Sequence, residues 1–268
     1  MLTDTHAHLY WDLFKKDFDQ VIKRAVDAGV TTIINVGVDI EKSKEALKQV
    51  QETAWPSGMS VYSTIGIHPH ESAVFSSDQI DQLEQVYKSN SEKVAGVGEC
   101  GLDWVEVTEQ EKKLQYQLFQ AQINLAKKLN LPLIVHCRDD RSQNPQNSAA
   151  WDEVLRMVKN HPTILHCYSG LIKTTQEVLK MPNALVSFAG NLTYPKNEYL
   201  RDAVKILPLN RIILETDCPF LPPQSKRGQR NEPANILEIA RLIADLKGAT
   251  LEKISIQTTK NVKIMFNL

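Results

Sequence analysis

Short apolar runs alternate along the chain with longer segments of helical period. Eight runs read as strands: Leu2–Thr5, Thr31–Val36, Val61–Ile67, Val94–Gly98, Leu133–His136, Thr163–His166, Ala184–Phe188 and Ile212–Glu215. The clearest helix spans Glu109–Asn130, where Leu114, Leu118, Ala121, Leu125 and Leu129 follow the 3.6 period. Thr108 and Glu111 form a capping box at its start, and Pro132 stops it and opens the next strand. Phe18–Ala28 ends at Gly29, a C-terminal cap. Helices are also predicted at Ile40–Glu52, Asp78–Ser89, Trp151–Lys159, Thr174–Leu179, Tyr199–Leu207 and Ala234–Leu246.

Strand and helix alternate eight times with no linker or composition break, so residues 1–268 are read as one domain. The alternation implies a parallel sheet, and eight units suit a closed (β/α)8 TIM barrel. A doubly wound open sheet is the competing architecture. It would gather functional residues at a switch point between few strands. The polar stretches Arg138–Ser148 and Pro219–Pro233 follow strands and are read as loops on the barrel face that carries function.

With 268 residues and 42% hydrophobic content, the chain can bury a large core. A formal charge of −1 excludes a strongly basic nucleic-acid coat, while leaving room for a local basic patch. No apolar run is long enough to span a membrane. Met1 lies directly against the first strand without a signal-like segment, so a cytoplasmic location is expected.

Candidate chemistry collects at the strand ends. His6 and His8 sit two apart at the end of the first run, and Glu99, His136, His166 and Asp217 each close a later one. Two residues apart on a strand, His6 and His8 share one face and can grip one ion. Six ligands exceed what one tetrahedral zinc needs, so two ions sharing a bridge is the economical reading. Glu99 is the natural bridge; His6, His8 and Asp217 would complete one site, and His136 and His166 the other. The mixed donors suit zinc, manganese, iron or magnesium. Such a pair acidifies water, and Asp217 could both ligate and take the water's proton, so Asp217 and Glu99 are the catalytic candidates.

Each of Cys100, Cys137, Cys167 and Cys218 directly follows a proposed ligand. Strand alternation would turn them away from the site, as packing residues rather than ligands. His68, after the third run, could donate to a phosphate oxygen or pack beside the metals. His70 reads as a loop residue and His161 as a solvent-exposed one. Arg138 is placed to reach a phosphate or to pair with Asp139 or Asp103. Lys226, Arg227 and Arg230 concentrate charge in the loop after strand eight, where a nucleic-acid backbone would approach. Asn231 and Glu232 are expected to order that loop. Tyr168, Tyr194 and Trp104 are available for base stacking or for packing.

As a set these residues resemble the TatD family of metal-dependent deoxyribonucleases, within the amidohydrolase-like barrel group. The resemblance rests on Asp4-Thr5-His6-Ala7-His8, Gly66-Ile67-His68-Pro69-His70, Gly98-Glu99-Cys100-Gly101-Leu102-Asp103 and Val135-His136-Cys137-Arg138. It continues through His166-Cys167-Tyr168-Ser169-Gly170, Leu214-Glu215-Thr216-Asp217, Arg227–Pro233 and Thr258-Thr259-Lys260-Asn261. It implies hydrolysis of DNA phosphodiesters with two divalent ions (Zn²⁺, Mn²⁺ or Mg²⁺), as a 3′-5′ exonuclease on single-stranded DNA. The metal residues carried over are His6, His8, Glu99, His136, His166 and Asp217. The chain departs from the family pattern at Leu171-Ile172 and in the polar opening Arg138-Asp139-Asp140-Arg141.

An amidase, lactonase or phosphotriesterase-like hydrolase of a small substrate could use the same metals. A nucleic-acid-binding protein with a structural metal is a reading from another class, opposed by the surplus of ligands over four. The sequence indicates no membrane and no protein partner.

Overall fold

The computed structural model describes residues 1–268. Eight parallel strands pair in sequence order: β1 (Leu2–Ala7), β2 (Val30–Asn35), β3 (Ser60–Ile65), β4 (Val94–Asp103), β5 (Leu133–Arg138), β6 (Thr163–Leu165), β7 (Ala184–Phe188) and β8 (Ile212–Leu214). Helices α1 (Phe18–Asp27), α2 (Ile40–Glu52), α3 (Asp78–Ser89), α4 (Glu109–Leu129), α5 (Ala149–Val158), α6 (Ile172–Leu179), α7 (Glu198–Ile206) and α8 (Ile236–Lys247) follow the successive strands. The last helix, α9 (Leu251–Phe266), has no strand after it.

The ring is nearly closed, because β8 stops before a full ladder to β1 can form. The seam is made by a bridge between Ala7 and Cys218, by the amide of Asp217 on the carbonyl of His6 (2.8 Å), and by side chains. Asp4 accepts from the amide and hydroxyl of Thr216 at 2.9 and 2.6 Å, and Thr5 Oγ1 donates to the Leu214 carbonyl at 2.9 Å. Burial pushes the Asp4 carboxyl up to about 7, against the donors from Thr216 and His6.

Alternation sorts the strand side chains into two cores. One faces the helices; the other fills the barrel with Ile34, Val36, Ala95, Ile134, Ile164, Leu185 and Ile213. Val262 and Phe266 of α9 join that inner layer. The carboxyl ends of the strands carry the polar cavity described below.

Two of the ligand-bearing strands are bulged. Asp4 pairs with Ile33 and Ala7 with Asn35, so β1 takes three steps against two on β2. Likewise Val97 pairs with Leu133 and Cys100 with Val135, giving β4 one extra residue against β5. Such an insertion re-aims side chains and bends the strand. Gly98 makes the second bulge possible: its φ is +153°, and a Cβ there would stand 2.5 Å from the Ile134 carbonyl oxygen.

Several expected boundaries move. Strand β4 continues to Asp103 rather than ending at Gly98, so Glu99 lies within it, in the bulge. Strands β3, β6 and β8 end earlier, leaving His68, His166 and Asp217 on the connecting turns. Helix α9 was not among the expected elements.

Candidate metal centre

A cavity of about 760 Å³ opens at the carboxyl ends of the strands, lined by His8, His68, Glu99, His136, His166 and Asp217 among others. His6 lies buried behind them. All six residues expected as ligands converge, and Glu99 is their centre. Its Oε2 lies 3.4 Å from His6 Nε2 and 4.0 Å from His8 Nε2. Its Oε1 lies 3.1 Å from both His136 Nδ1 and His166 Nε2, and 3.5 Å from His68 Nε2. Asp217 Oδ1 completes the first group, 3.8 Å from His6 and 3.6 Å from His8. A positive φ of 58° at Asp217, tolerable for aspartate, begins the turn out of β8.

The hydrogen bonds of the rings decide which nitrogens are available. His8 Nδ1 lies 2.9 Å from the Val36 carbonyl, which can only accept, so the proton sits on Nδ1 and neutral His8 offers Nε2 as a lone pair. His166 Nδ1 faces Glu215 Oε1 at 3.1 Å, and His136 Nε2 faces Asp103 Oδ2 at the same distance. In each neutral ring the outer nitrogen donates and the inner one is a lone pair turned toward Glu99. Outer partners of this kind orient metal-ligating histidines. His6 differs, for its Nδ1 is buried with no partner. His68 has the opposite tautomer: Nδ1 accepts the His70 amide at 3.2 Å, leaving an N–H on Nε2 aimed into the cavity.

The electrostatics follow from burial without bulk solvent. Burial raises the Glu99 carboxyl, but His166, His68 and His136 overcome this and hold it well below the usual range. Burial also opposes ionisation of Asp217, yet His8 and His6 keep it low. Against its burial, Glu215 and Glu99 hold His166 well above the ordinary histidine value, whereas burial and His166 push His6 down. Ring nitrogens of His6 and His8 face each other at 3.2 Å, and the two rings of His6 and His166 stack at 3.9 Å. Such crowding of imidazoles around carboxylates has the donor chemistry of a divalent-cation site. Three sets of donor atoms lie within 4.8 Å of one another: His6/His8/Glu99, His68/Glu99/His136 and His6/His166/Glu215. No cysteine belongs to them.

Other expectations meet mixed outcomes. Cys100, Cys137 and Cys218 pack in the core, but Cys167 does not follow the alternation. Strand β6 has ended by then, φ at Cys167 is +42°, and its thiol lies half-buried at the cavity wall, 3.5 Å from Asn191 Nδ2. Arg138 stands at the rim, 3.8 Å from Asp103. The structure does not bring Arg227 or Arg230 into the cavity. Arg227 lies over the Tyr194 ring at 4.6 Å, and Arg230 grips both oxygens of Asp17 at 2.8 and 2.7 Å. Arg230 is thus held in an ion pair outside the cavity. Asn231 and Glu232 do order the loop: Asn231 Nδ2 donates to the carbonyls of Thr216 and Phe220, and Glu232 accepts from Arg24.

His161 is buried rather than exposed, with its Nε2 2.8 Å from the Leu131 carbonyl. Tyr168 packs fully buried against Trp151, and Trp104 lies under Lys112, so neither lines the cavity. Sequence reasoning missed Asp103 and Glu215 as partners of His136 and His166, and also His70, whose Nε2 lies 3.2 Å from Asp103. It missed the cavity aromatics Trp11 and Phe220 as well. The signal for the two acids was available: a ligating imidazole calls for a fixed acceptor on its other nitrogen, and both acids stand at the ends of strands, Asp103 closing β4 and Glu215 just after β8.

A parallel eight-stranded barrel with imidazoles and carboxylates converging at its carboxyl end defines a metal-dependent hydrolase. Comparison with known proteins makes the class particular: the chain belongs to the family described as TatD related DNase, which matches residues 3–267. It is 35% identical over 273 residues to the uncharacterized metal-dependent hydrolase YabD of Bacillus subtilis, covering 100% of each chain. It is 30% identical over 269 residues to the 3′-5′ ssDNA/RNA exonuclease TatD of Erwinia amylovora, covering 99% of each. Among solved structures, the TatD homologue YjjV of Escherichia coli superposes with a TM-score of 0.87 at 27% identity, over 100% of this chain and 98% of that one. No helix is long and apolar enough to cross a membrane.

Proposed function

We propose that this hydrolase cleaves phosphodiester bonds of single-stranded DNA from the 3′ end, with two divalent ions held on either side of Glu99. The observation that carries this reading is the division of Glu99: Oε2 faces His6 and His8, while Oε1 faces His136 and His166. His6, His8 and Asp217 would hold one ion and His136 and His166 the other, with Glu99 common to both. When bound, such a pair supplies Lewis acidity and a water acidified toward neutrality.

The chain's own residues do the rest. Asp217 is ionised, lines the cavity and lies within 4 Å of both His6 and His8, so it orients the attacking water and takes its proton. His68 donates its Nε2 proton to a nonbridging phosphate oxygen, since its other nitrogen is already an acceptor for the His70 amide. Arg138, at the rim, neutralises the next phosphate along the strand. The fixed outer partners of His8, His136 and His166 keep their inner nitrogens aligned through turnover. Support for a nucleic-acid substrate comes from relatives named as single-strand exonucleases.

The test is hydrolysis of 3′- or 5′-labelled single-stranded DNA by metal-stripped protein after return of Zn²⁺, Mn²⁺ or Mg²⁺, beside Asp217→Ala. Metal-dependent release of mononucleotides from the 3′ end, lost in the variant, is expected. No cleavage with any ion would overturn the nuclease reading in favour of a small ester or amide at the same centre.

A further inference from the structure

The cavity has two chemically different walls. His68, His70 and Arg138 line it with hydrogen-bond donors, whereas Trp11 and Phe220 present aromatic surface. The Trp11 and Phe220 rings meet edge-to-face at 5.0 Å, and both adjoin His8, at centroid distances of 5.8 and 6.1 Å. Trp11 is half-buried, but Phe220 is 42% exposed at the edge of an otherwise polar, ionised site.

An exposed phenylalanine beside buried charge is not explained by core packing. Nor is it loosely held. The Phe220 amide donates to the Asp217 carbonyl at 2.9 Å, and its own carbonyl accepts from buried Asn231 at 2.7 Å. Arg230 then joins this segment to the one that carries Trp11. Its guanidinium bonds the Leu13 carbonyl, grips Asp17 and lies over the Phe14 ring at 4.7 Å. The segments that carry the two aromatic rings are thus tied together by Arg230, which itself stays outside the cavity.

We propose that Trp11 and Phe220 form a stacking subsite for the base of the terminal nucleotide, beside His8. The inference rests on the nuclease reading and deepens it. The base lies on the Phe220 face and the scissile phosphate over Glu99, with His8 between them: its ring is 6.1 Å from the Phe220 ring and its Nε2 4.0 Å from Glu99 Oε2. Stacking accepts any of the four bases, since each has a π face. A paired base could not leave its partner to occupy the wall without the cost of unpairing, so the subsite also favours single strands.

Two experiments separate the inference from the reading beneath it. The first titrates a deoxynucleoside 5′-monophosphate or 2-deoxyribose 5-phosphate into metal-loaded protein while following tryptophan fluorescence. The base-bearing ligand should bind roughly tenfold tighter and quench emission, with the quench lost in Trp11→Phe. Equal affinities without a quench would overturn the subsite, whatever the nuclease assay shows. The second compares single strands ending in a normal or an abasic 3′ nucleotide. The normal end should be cleaved roughly tenfold faster in kcat/KM, with this preference lost in Phe220→Ala and regained in Phe220→Tyr. Equal rates on the two ends in the unmodified protein would also overturn the subsite while leaving the nuclease reading intact. Failure to cleave either end with any ion would remove the nuclease reading itself.

Discussion

Two clusters of charged side chains occupy the same end of this barrel and differ in how they balance. Around Asp17 and Glu232, two arginines meet two carboxylates. Arg230 takes both oxygens of Asp17, and Arg24 takes both oxygens of Glu232 and reaches Asp17 at 3.3 Å. Every charge has a partner of matching geometry, and the cluster ties the loop after β8 to the segment before α1. Around Glu99, imidazoles crowd two carboxylates with ring nitrogens turned toward one another. That arrangement turns the donor atoms of several imidazoles and two carboxylates toward one shared space. Arginine–carboxylate pairing holds structure; imidazoles and carboxylates converging at the mouth of a barrel have the donor chemistry of a cation site.

The largest effect should come from Glu99, because its two oxygens face both groups of histidines. Glu99→Gln is expected to cut metal-dependent hydrolysis at least about a thousandfold. It should also abolish the rise in Tm that divalent metal gives the unmodified protein. A preserved metal-induced shift would mean that the cluster is not completed through Glu99. A smaller effect is expected one layer out. Glu215→Ala frees His166 Nδ1 and should weaken metal affinity about 10–100-fold, with activity recovered at high metal concentration. Loss that excess metal does not rescue would place Glu215 in the reaction itself.

The arginine–carboxylate cluster should respond in the opposite sense. Arg230→Ala is expected to cost about 1 kcal/mol, or roughly 2–4 °C in Tm, with no change in the salt dependence of DNA binding. A shallower salt slope would restore Arg230 as a phosphate contact. The smallest effect is on pH. Arg230 holds the Asp17 carboxyl down at about 2 through its hydrogen bonds, against an unfolded value near 3.9. Because the folded value is the lower one, this stability is fully present above about pH 4 and fades as pH falls toward 2. The Tm gap between the unmodified protein and Asp17→Asn should therefore narrow on acidification, as read by thermal melts between pH 5 and about 2.5. A gap that does not change with pH would contradict the pairing.

Much of this contrast was legible before any coordinates. Helices α2 and α3 fall where their apolar period puts them, and the Thr108–Glu111 box opens α4 as expected. The six residues expected as ligands converge because strand order alone brings strand ends together in a barrel. What pattern missed was polar or bulged. Helix α9 buries Ser255, Thr258, Thr259 and Asn261, whose hydrogen bonds reach its own turn, Met1 and the carbonyls of Leu209 and Ile212. That face carries too little apolar period to register as buried. Glu99 points into the site as expected, but from a bulge inside a longer strand, which alternation does not reveal. Arg230 looked like a free cation only because Asp17, its partner, lies far away in sequence.

The central claim is that the cluster around Glu99 is completed by two divalent ions. Native mass spectrometry of the chain with saturating Zn²⁺ or Mn²⁺ tests it most directly, with Glu99→Gln measured alongside. Two ions per chain are expected in the unmodified protein, with the loss of at least one in the variant. A single ion or none, or a count that Glu99→Gln leaves unchanged, would contradict it.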